Sequence, residues 1–169
     1  EAFDQMRAVS RARGFAGLQV LCNNGRADPE VTARNRDCGC DAQFAYALNN
    51  VKERRPSPRD AISQQLETIK AGNSGAIPFV PCATMGWDPM AWQDTRPNAP
   101  SYRNPETMIR WRLSPEQFQN LLQQIKTVMD RGGSGDRLVQ TFVRTGTHSY
   151  ISDPTYPALV TSLLDWVET

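Results

Sequence analysis

The stretch Ala76-Ile-Pro-Phe-Val-Pro-Cys-Ala-Thr-Met-Gly-Trp-Asp88 limits what this chain can become more than any other. It opens as an apolar run of strand length, Ile77 to Ala83, then turns polar and aromatic at Thr84, Trp87 and Asp88. A run that short and that apolar reads as a strand buried on both faces, which is the signature of a parallel sheet covered by helices. In such folds ligands bind beyond the carboxyl ends of the strands. Trp87 and Asp88 therefore fall where a site is expected, a ring for stacking beside a carboxylate.

The remaining segments alternate around that strand. Phe3, Met6 and Val9 recur at helical spacing from Ala2 until Gly14, a natural stop after a helix end. Gly17 to Cys22 reads as a first strand that breaks at Asn23-Asn24-Gly25. Arg26 to Asp37 has no apolar period and reads as an exposed loop with at most one helical turn. A weaker strand follows over Cys38 to Tyr46, weakened by Gly39 and Asp41. Ser57-Pro58 opens a helix whose Ile62, Leu66 and Ile69 share a face, ended by Gly72-Asn73-Ser74-Gly75. The charge run Lys52-Glu-Arg-Arg55 reads as a solvated face or loop.

From Gly86 to Leu113 runs a long loop with Trp87, Trp92 and Trp111, three of the four Trp residues. Loops of that length without periodicity are functional or disordered, and the rings argue for packing against the strand ends. Ser114-Pro-Glu-Gln117 carries a complete capping box, followed by an apolar face at Phe118, Leu121, Leu122, Ile125, Val128 and Met129. Gly132-Gly-Ser-Gly135 is a break and not a phosphate loop, since no Lys-Ser/Thr follows it. A strand over Arg137 to Val143 and a last helix with Leu159, Val160, Leu163, Leu164 and Val167 complete the order. A helix followed by four strand-helix pairs predicts an α/β fold of parallel (β/α) units, one domain over 1–169, equivalent to the C-terminal half of a TIM barrel. Half a barrel leaves two open edges and one uncovered face, so self-association or a missing N-terminal half is expected. A start at Glu1 in place of Met fits a processed chain or a fragment.

Composition narrows the partners. With 19 Lys+Arg against 18 Asp+Glu, and the basic residues scattered, nucleic acid is not an expected partner. No apolar run reaches the roughly 20 residues that cross a bilayer, and no signal-peptide pattern opens the chain. The compartment stays open. The four cysteines, Cys22, Cys38, Cys40 and Cys82, match neither a zinc pattern nor C-x-x-C. Cys22 and Cys82, inside predicted strands, are expected as free thiols packed like small hydrophobes. Cys38 and Cys40 with His148 would lack a fourth metal ligand, so no metal and no cofactor is expected.

Three motifs carry a resemblance. Gly39-Cys-Asp-Ala-Gln-Phe-Ala-Tyr46, Pro78-Phe-Val-Pro-Cys-Ala-Thr-Met-Gly-Trp-Asp88 and Ser114-Pro-Glu-Gln-Phe118 are similar to conserved stretches of the glycoside hydrolase family 99-like domain of the WbsX type, in its C-terminal half. The family's versions read Gly-Phe-Asp-Ala with a Tyr a few residues on, Pro-x-x-x-Pro-Gly-Trp-Asp, and Thr-Pro-Glu-x-Phe. The resemblance implies a carbohydrate-active protein acting on α-mannoside-like glycans, with an oligosaccharide or polysaccharide as partner. Trp87 would stack on a sugar face and Asp88 and Asp41 would accept hydrogen bonds from hydroxyls, with Tyr46 and Arg144 on the same rim. The family's Asn-Glu-Trp-x-Glu-Gly signature is not preserved. In its place stands Arg144-Thr-Gly-Thr-His-Ser-Tyr150, with Arg144 and Thr147 where the glutamates belong. Two-carboxylate hydrolysis cannot run through those side chains. Asp88 and His148, the only histidine, are left as the candidates for acid or base work.

Overall fold

The computed structural model describes residues 2–48, 51–88, 93–98, 100 and 103–131, together with the backbone of 142–144. The chain is an α/β arrangement. Helix α1 (Ala2–Ala12) leads into strand β1 (Leu21–Asn23), α2 (Pro29–Asp37), β2 (Ala42–Phe44), α3 (Pro58–Asn73), β3 (Phe79–Val80), β4 (Cys82–Thr84), β5 (Gly86–Trp87), β6 (Trp111–Arg112), α4 (Pro115–Arg131) and β7 (Phe142–Arg144).

The sheet follows the expected parallel order. β1, β2 and β3 form a three-stranded parallel sheet, with Cys22 opposite Gln43 and Gln43 opposite Phe79. β4 pairs in parallel with β7, Thr84 opposite Arg144. Pro81 separates β3 from β4, and a proline has no amide hydrogen to give a ladder. The strand therefore pairs with β2 before the proline and with β7 after it. Gln65 of α3 repairs the gap beside β4: its amide accepts from the Thr84 N–H at 2.8 Å and donates to the Thr84 carbonyl at 3.0 Å. A buried side chain thus does for Thr84 what a neighbouring strand would have done.

The two faces of the sheet differ. Gln43 and Phe79 point toward the helices, Gln43 meeting Thr32 of α2 at 3.1 Å and the Phe79 ring lying against Gly72 of α3. On the other face Leu21, Ala42 and Phe44 are only half-buried and Asn23 is exposed. The densest packing lies between α3, α4 and the strand at 79–84. Leu66, Ile69, Phe79, Phe118, Leu121, Leu122 and Ile125 are all buried there. Each such side chain contributes about 1.5–3 kcal/mol on removal from water.

The helix starts at Ser57 and Ser114 form as their sequences predict. Ser57 accepts from the Asp60 N–H, while Ser114 accepts from the Gln117 N–H and the Gln117 side chain accepts in return from the Ser114 N–H. Three expectations need correction. Residues 29–37 are a helix in place of a loop, opened by Asp28, whose side chain accepts from the N–H groups of Glu30 and Val31. Only Thr32 of that helix is buried, so it carries no apolar period to be read. The loop from Gly86 to Leu113 has an antiparallel ribbon at its base, β5 against β6. Cys22 is not a thiol but is disulfide-bonded to Cys40, whereas Cys82 is a buried cysteine outside any disulfide, as expected. The pairing also removes Cys40 from any metal site. The predicted last helix, and the strand residues before Phe142, lie outside the described residues.

Candidate functional site

The carboxyl ends of the parallel strands bring several of the predicted residues to one side. After β2 the chain runs beside β4, since the Leu48 N–H donates to the Thr84 hydroxyl at 2.8 Å. Tyr46, two residues past the end of β2, is exposed. Trp87 follows β4 by three residues, and the backbone of Arg144 is the register partner of Thr84. Tyr46, Trp87 and the Arg144 position therefore share the carboxyl end of the sheet. His148 lies outside the described residues, as does the side chain of Arg144.

The β5–β6 ribbon fixes how Trp87 and Asp88 are presented. Trp87 is the register partner of Trp111 and Gly86 of Arg112, and the Leu113 N–H donates to the Met85 carbonyl at 2.8 Å. Facing residues of an antiparallel pair project to the same side, so both rings lie on one face of the ribbon. Trp111 is buried, and Trp87 packs against the core while staying part-exposed. The indole N–H of Trp111 is buried with no hydrogen-bond partner among the described residues. The backbones approach closely because residue 86 has no side chain: a Cβ there would stand 2.8 Å from the Trp111 carbonyl oxygen.

One step beyond the ladder, Asp88 meets Arg110. The guanidinium contacts both carboxylate oxygens, Nε to Oδ1 and Nη2 to Oδ2, each at 3.1 Å. Alternation along an extended chain turns neighbours to opposite sides. The Trp87 ring and the Asp88 carboxylate are thus adjacent in sequence but directed to opposite sides of the ribbon. Asp88 is held in a two-point grip, which orients it as an acceptor and engages both of its oxygens.

Arginines that the sequence reading left as solvated charge complete this end. Arg54 and Arg55 are exposed loop residues, yet Arg54 donates to the Glu106 carbonyl at 2.7 Å and Arg55 to the Met108 carbonyl at 2.9 Å. The Arg110 N–H donates to the Arg54 carbonyl at 2.9 Å. The segment after β2 therefore straps down the returning arm of the long loop and sets Arg110 opposite Asp88. A run of like charges gives no hint of this, because the acceptors are backbone carbonyls. Within the loop, Arg96 beside Asp94 holds that carboxyl down at about 2, first through their side-chain hydrogen bonds.

Asp41 is placed elsewhere. It precedes β2 and so lies at the amino end of the strands, where it accepts from Arg7 at 2.8 Å and from the Val20 N–H at 2.7 Å. The Arg7 hydrogen bond, then the Val20 N–H, lowers its pKa below the ordinary 3.8. Its carboxylate ties α1 to the sheet and does not join Tyr46 and Trp87. The strand begins at Ala42 and not at Cys38, which is why Asp41 falls on the far side.

A cavity of about 520 Å³ opens between α3 and α4, lined among others by Lys70, Asn73, Gln124 and Arg131. These are the later turns of the two helices, near the amino ends of the strands, so this cavity is separate from the Trp87 rim. Among the described residues no three His, Cys, Asp or Glu side chains cluster to hold a metal ion, and no helix is long and apolar enough to cross a membrane. Compared with known proteins, the chain matches no family model, no curated protein and no solved structure.

Proposed function

We propose that this chain is a carbohydrate-active domain of the family 99-like kind that engages α-mannoside-like glycans at the carboxyl end of its parallel strands. In this reading the strand order is half of a TIM barrel, and the half-open face with Leu21, Asn23, Ala42 and Phe44 is the interior of that half. The observation that carries it is the common placement of two aromatic residues, Tyr46 and Trp87, past the ends of β2 and β4, with the Asp88 carboxylate beside them on the other side of the ribbon. Aromatic faces and oriented carboxylates are the two groups a sugar needs, one for its C–H face and one for its hydroxyls.

Binding without turnover fits the site best. Hydrolysis needs one carboxyl to protonate the leaving oxygen and a second to assist attack. Asp88 is gripped by Arg110, and Arg144 and Thr147 stand where the family carries its glutamates. Incubation with α-mannosides separates the cases. The expected result is saturable binding that Trp87→Ala removes, with no released sugar. Hydrolysis that disappears in Asp88→Asn would make the domain an active hydrolase, and absence of any binding would discard the carbohydrate reading.

A second reading, an oligomerising scaffold, is favoured by α1. This helix has no buried residue, and Met6, Val9 and the nearby Phe15 are exposed. An apolar stripe left in water is a surface for another chain. Sedimentation at increasing concentration tests it: a strict monomer that binds oligosaccharide removes this reading and leaves the first.

A further inference from the structure

We infer that Cys38, Cys40 and Cys22 form a thiol–disulfide exchange centre, in which the exposed Cys38 thiol attacks the Cys22–Cys40 bond at the Cys40 sulfur. Three observations carry this. Cys22 and Cys40 are disulfide-bonded, joining β1 to the residues that lead into β2. Cys38 is a free thiol and exposed, whereas Cys40 is buried at 6% exposure. Only Gly39 separates the attacking sulfur from the sulfur under attack.

The end of α2 holds the two cysteines in this relation. Cys38 is the last half-helical residue, Gly39 has φ +87, and the N–H groups of Gly39 and Cys40 return to the carbonyls of Arg36 and Asn35 at 2.9 and 3.0 Å. These are the two bonds of a Schellman turn, a left-handed glycine step that folds the following residue back onto the helix. The turn leaves Cys38 in water and tucks Cys40 inward. Arg7 fastens it from outside, donating to the Gly39 carbonyl at 2.6 Å. Of the three sulfur-bearing residues Cys38 is exposed, Cys22 half-buried and Cys40 buried, so a reagent in solution meets Cys38 most readily.

The exchange balances without an added oxidant. The Cys38 thiol loses its proton and its thiolate forms a bond to the Cys40 sulfur. The Cys22–Cys40 bond breaks, and Cys22 leaves as a thiolate that takes up a proton. One disulfide and one thiol are present before and after. The crosslink, however, moves from a tie between β1 and β2 to a ring local to the turn, so β1 loses its covalent attachment. A dithiol can then attack the exposed Cys38 sulfur and expel Cys40 as a thiolate; its second thiol, losing its proton, attacks the reagent's own sulfur in the mixed disulfide and expels Cys38 as a thiolate, so the reagent leaves as a cyclic disulfide and the pair is reduced.

The test uses the oxidised full chain at low concentration, held at about pH 6 and about pH 9, since thiol–disulfide exchange runs through the thiolate and quickens as the pH rises. Samples are quenched in acid, unfolded, labelled with a maleimide at low pH and mapped by mass spectrometry. At the higher pH the wild type is expected to show label at Cys22 and a Cys38–Cys40 linkage, at least about tenfold above the Cys38→Ser background. The same variant is expected to slow reduction of the Cys22–Cys40 bond by dithiothreitol. Label confined to Cys38 and Cys82, a Cys22–Cys38 linkage, or a disulfide-linked dimer with Cys22–Cys40 intact would each overturn the proposal.

Discussion

On the flank formed by α1, β1 and α2, three elements together bury one helical residue, Thr32, and no residue of β1. On the flank formed by α3, β4 and α4, the two helices bury ten residues between them, and every residue of β4 is buried. The first flank is held by other means: the Cys22–Cys40 disulfide, the Arg7–Asp41 pair, and a buried polar cluster in which the Asn24 side chain donates to Thr32 and Gln43. Where apolar area is scarce, covalent and directional ties take over. The two flanks should therefore answer to different chemical insults.

The sharpest way to test that difference is to damage each flank by the force that holds it. Phe118→Ala, in the fully packed flank, should cost about 3–5 kcal/mol in urea unfolding, the range for removing a buried ring. A cost below about 1 kcal/mol would mean that α4 is not packed as described. Reduction of Cys22–Cys40, or Cys22→Ser, should cost about 3 kcal/mol by the loop-closure estimate for a span of this size. Its effect should be local, with amide exchange rising across β1 and α2 while α3 and α4 keep their protection. Uniform loss of protection would merge the two flanks into one cooperative unit.

A smaller effect is expected at the ribbon. In Gly86→Ala the new methyl must push back the Trp111 carbonyl, a backbone group that cannot rotate away. Overpacking of this kind costs about 1–3 kcal/mol, and weaker glycan binding should accompany it because Trp87 moves with β5. Unchanged binding and stability would contradict the ladder register.

Acid gives the least. Because the folded-state pKa of Asp41 is lowered by Arg7, the pair's contribution is fully present above the ordinary value of 3.8 and is lost as the pH falls below it. Helical signal from α1 should decline over that window in the wild type and be insensitive to pH there in Asp41→Asn. A decline that persists in the variant would move the acid sensitivity to another group.

Much of the well-packed flank was legible in the residues. Ser114-Pro-Glu-Gln117 is a capping box in sequence and in structure, and of the apolar positions from Phe118 to Met129 α4 buries all but Val128, which is half-buried. The other flank was not, for physical reasons. α2 has no apolar stripe, so its only signals were Asp28 before Pro29 and Gly39 after its end, the marks of a capped helix with a Schellman stop. Spacing does not reveal which cysteines meet, because pairing depends on β1 and β2 lying side by side. At the site, Trp87 follows from its position past a strand end, whereas Tyr46, read as the last residue of its strand, lies two residues beyond the end of β2. Asp41 was misplaced by a strand start four residues too early, and Arg54, Arg55 and Arg110 were missed because their partners are carbonyls and a distant carboxylate.

The most direct test of the account is a backbone and indole NMR titration with an α-mannoside oligosaccharide, read at both ends of the strands. Shifts confined to Tyr46, Thr84, Trp87, Asp88 and Arg110, with Arg7, Cys38 and Asp41 unmoved, are the predicted result. Shifts centred on Asp41 and the α1–β2 junction, or none anywhere at millimolar ligand, would contradict it.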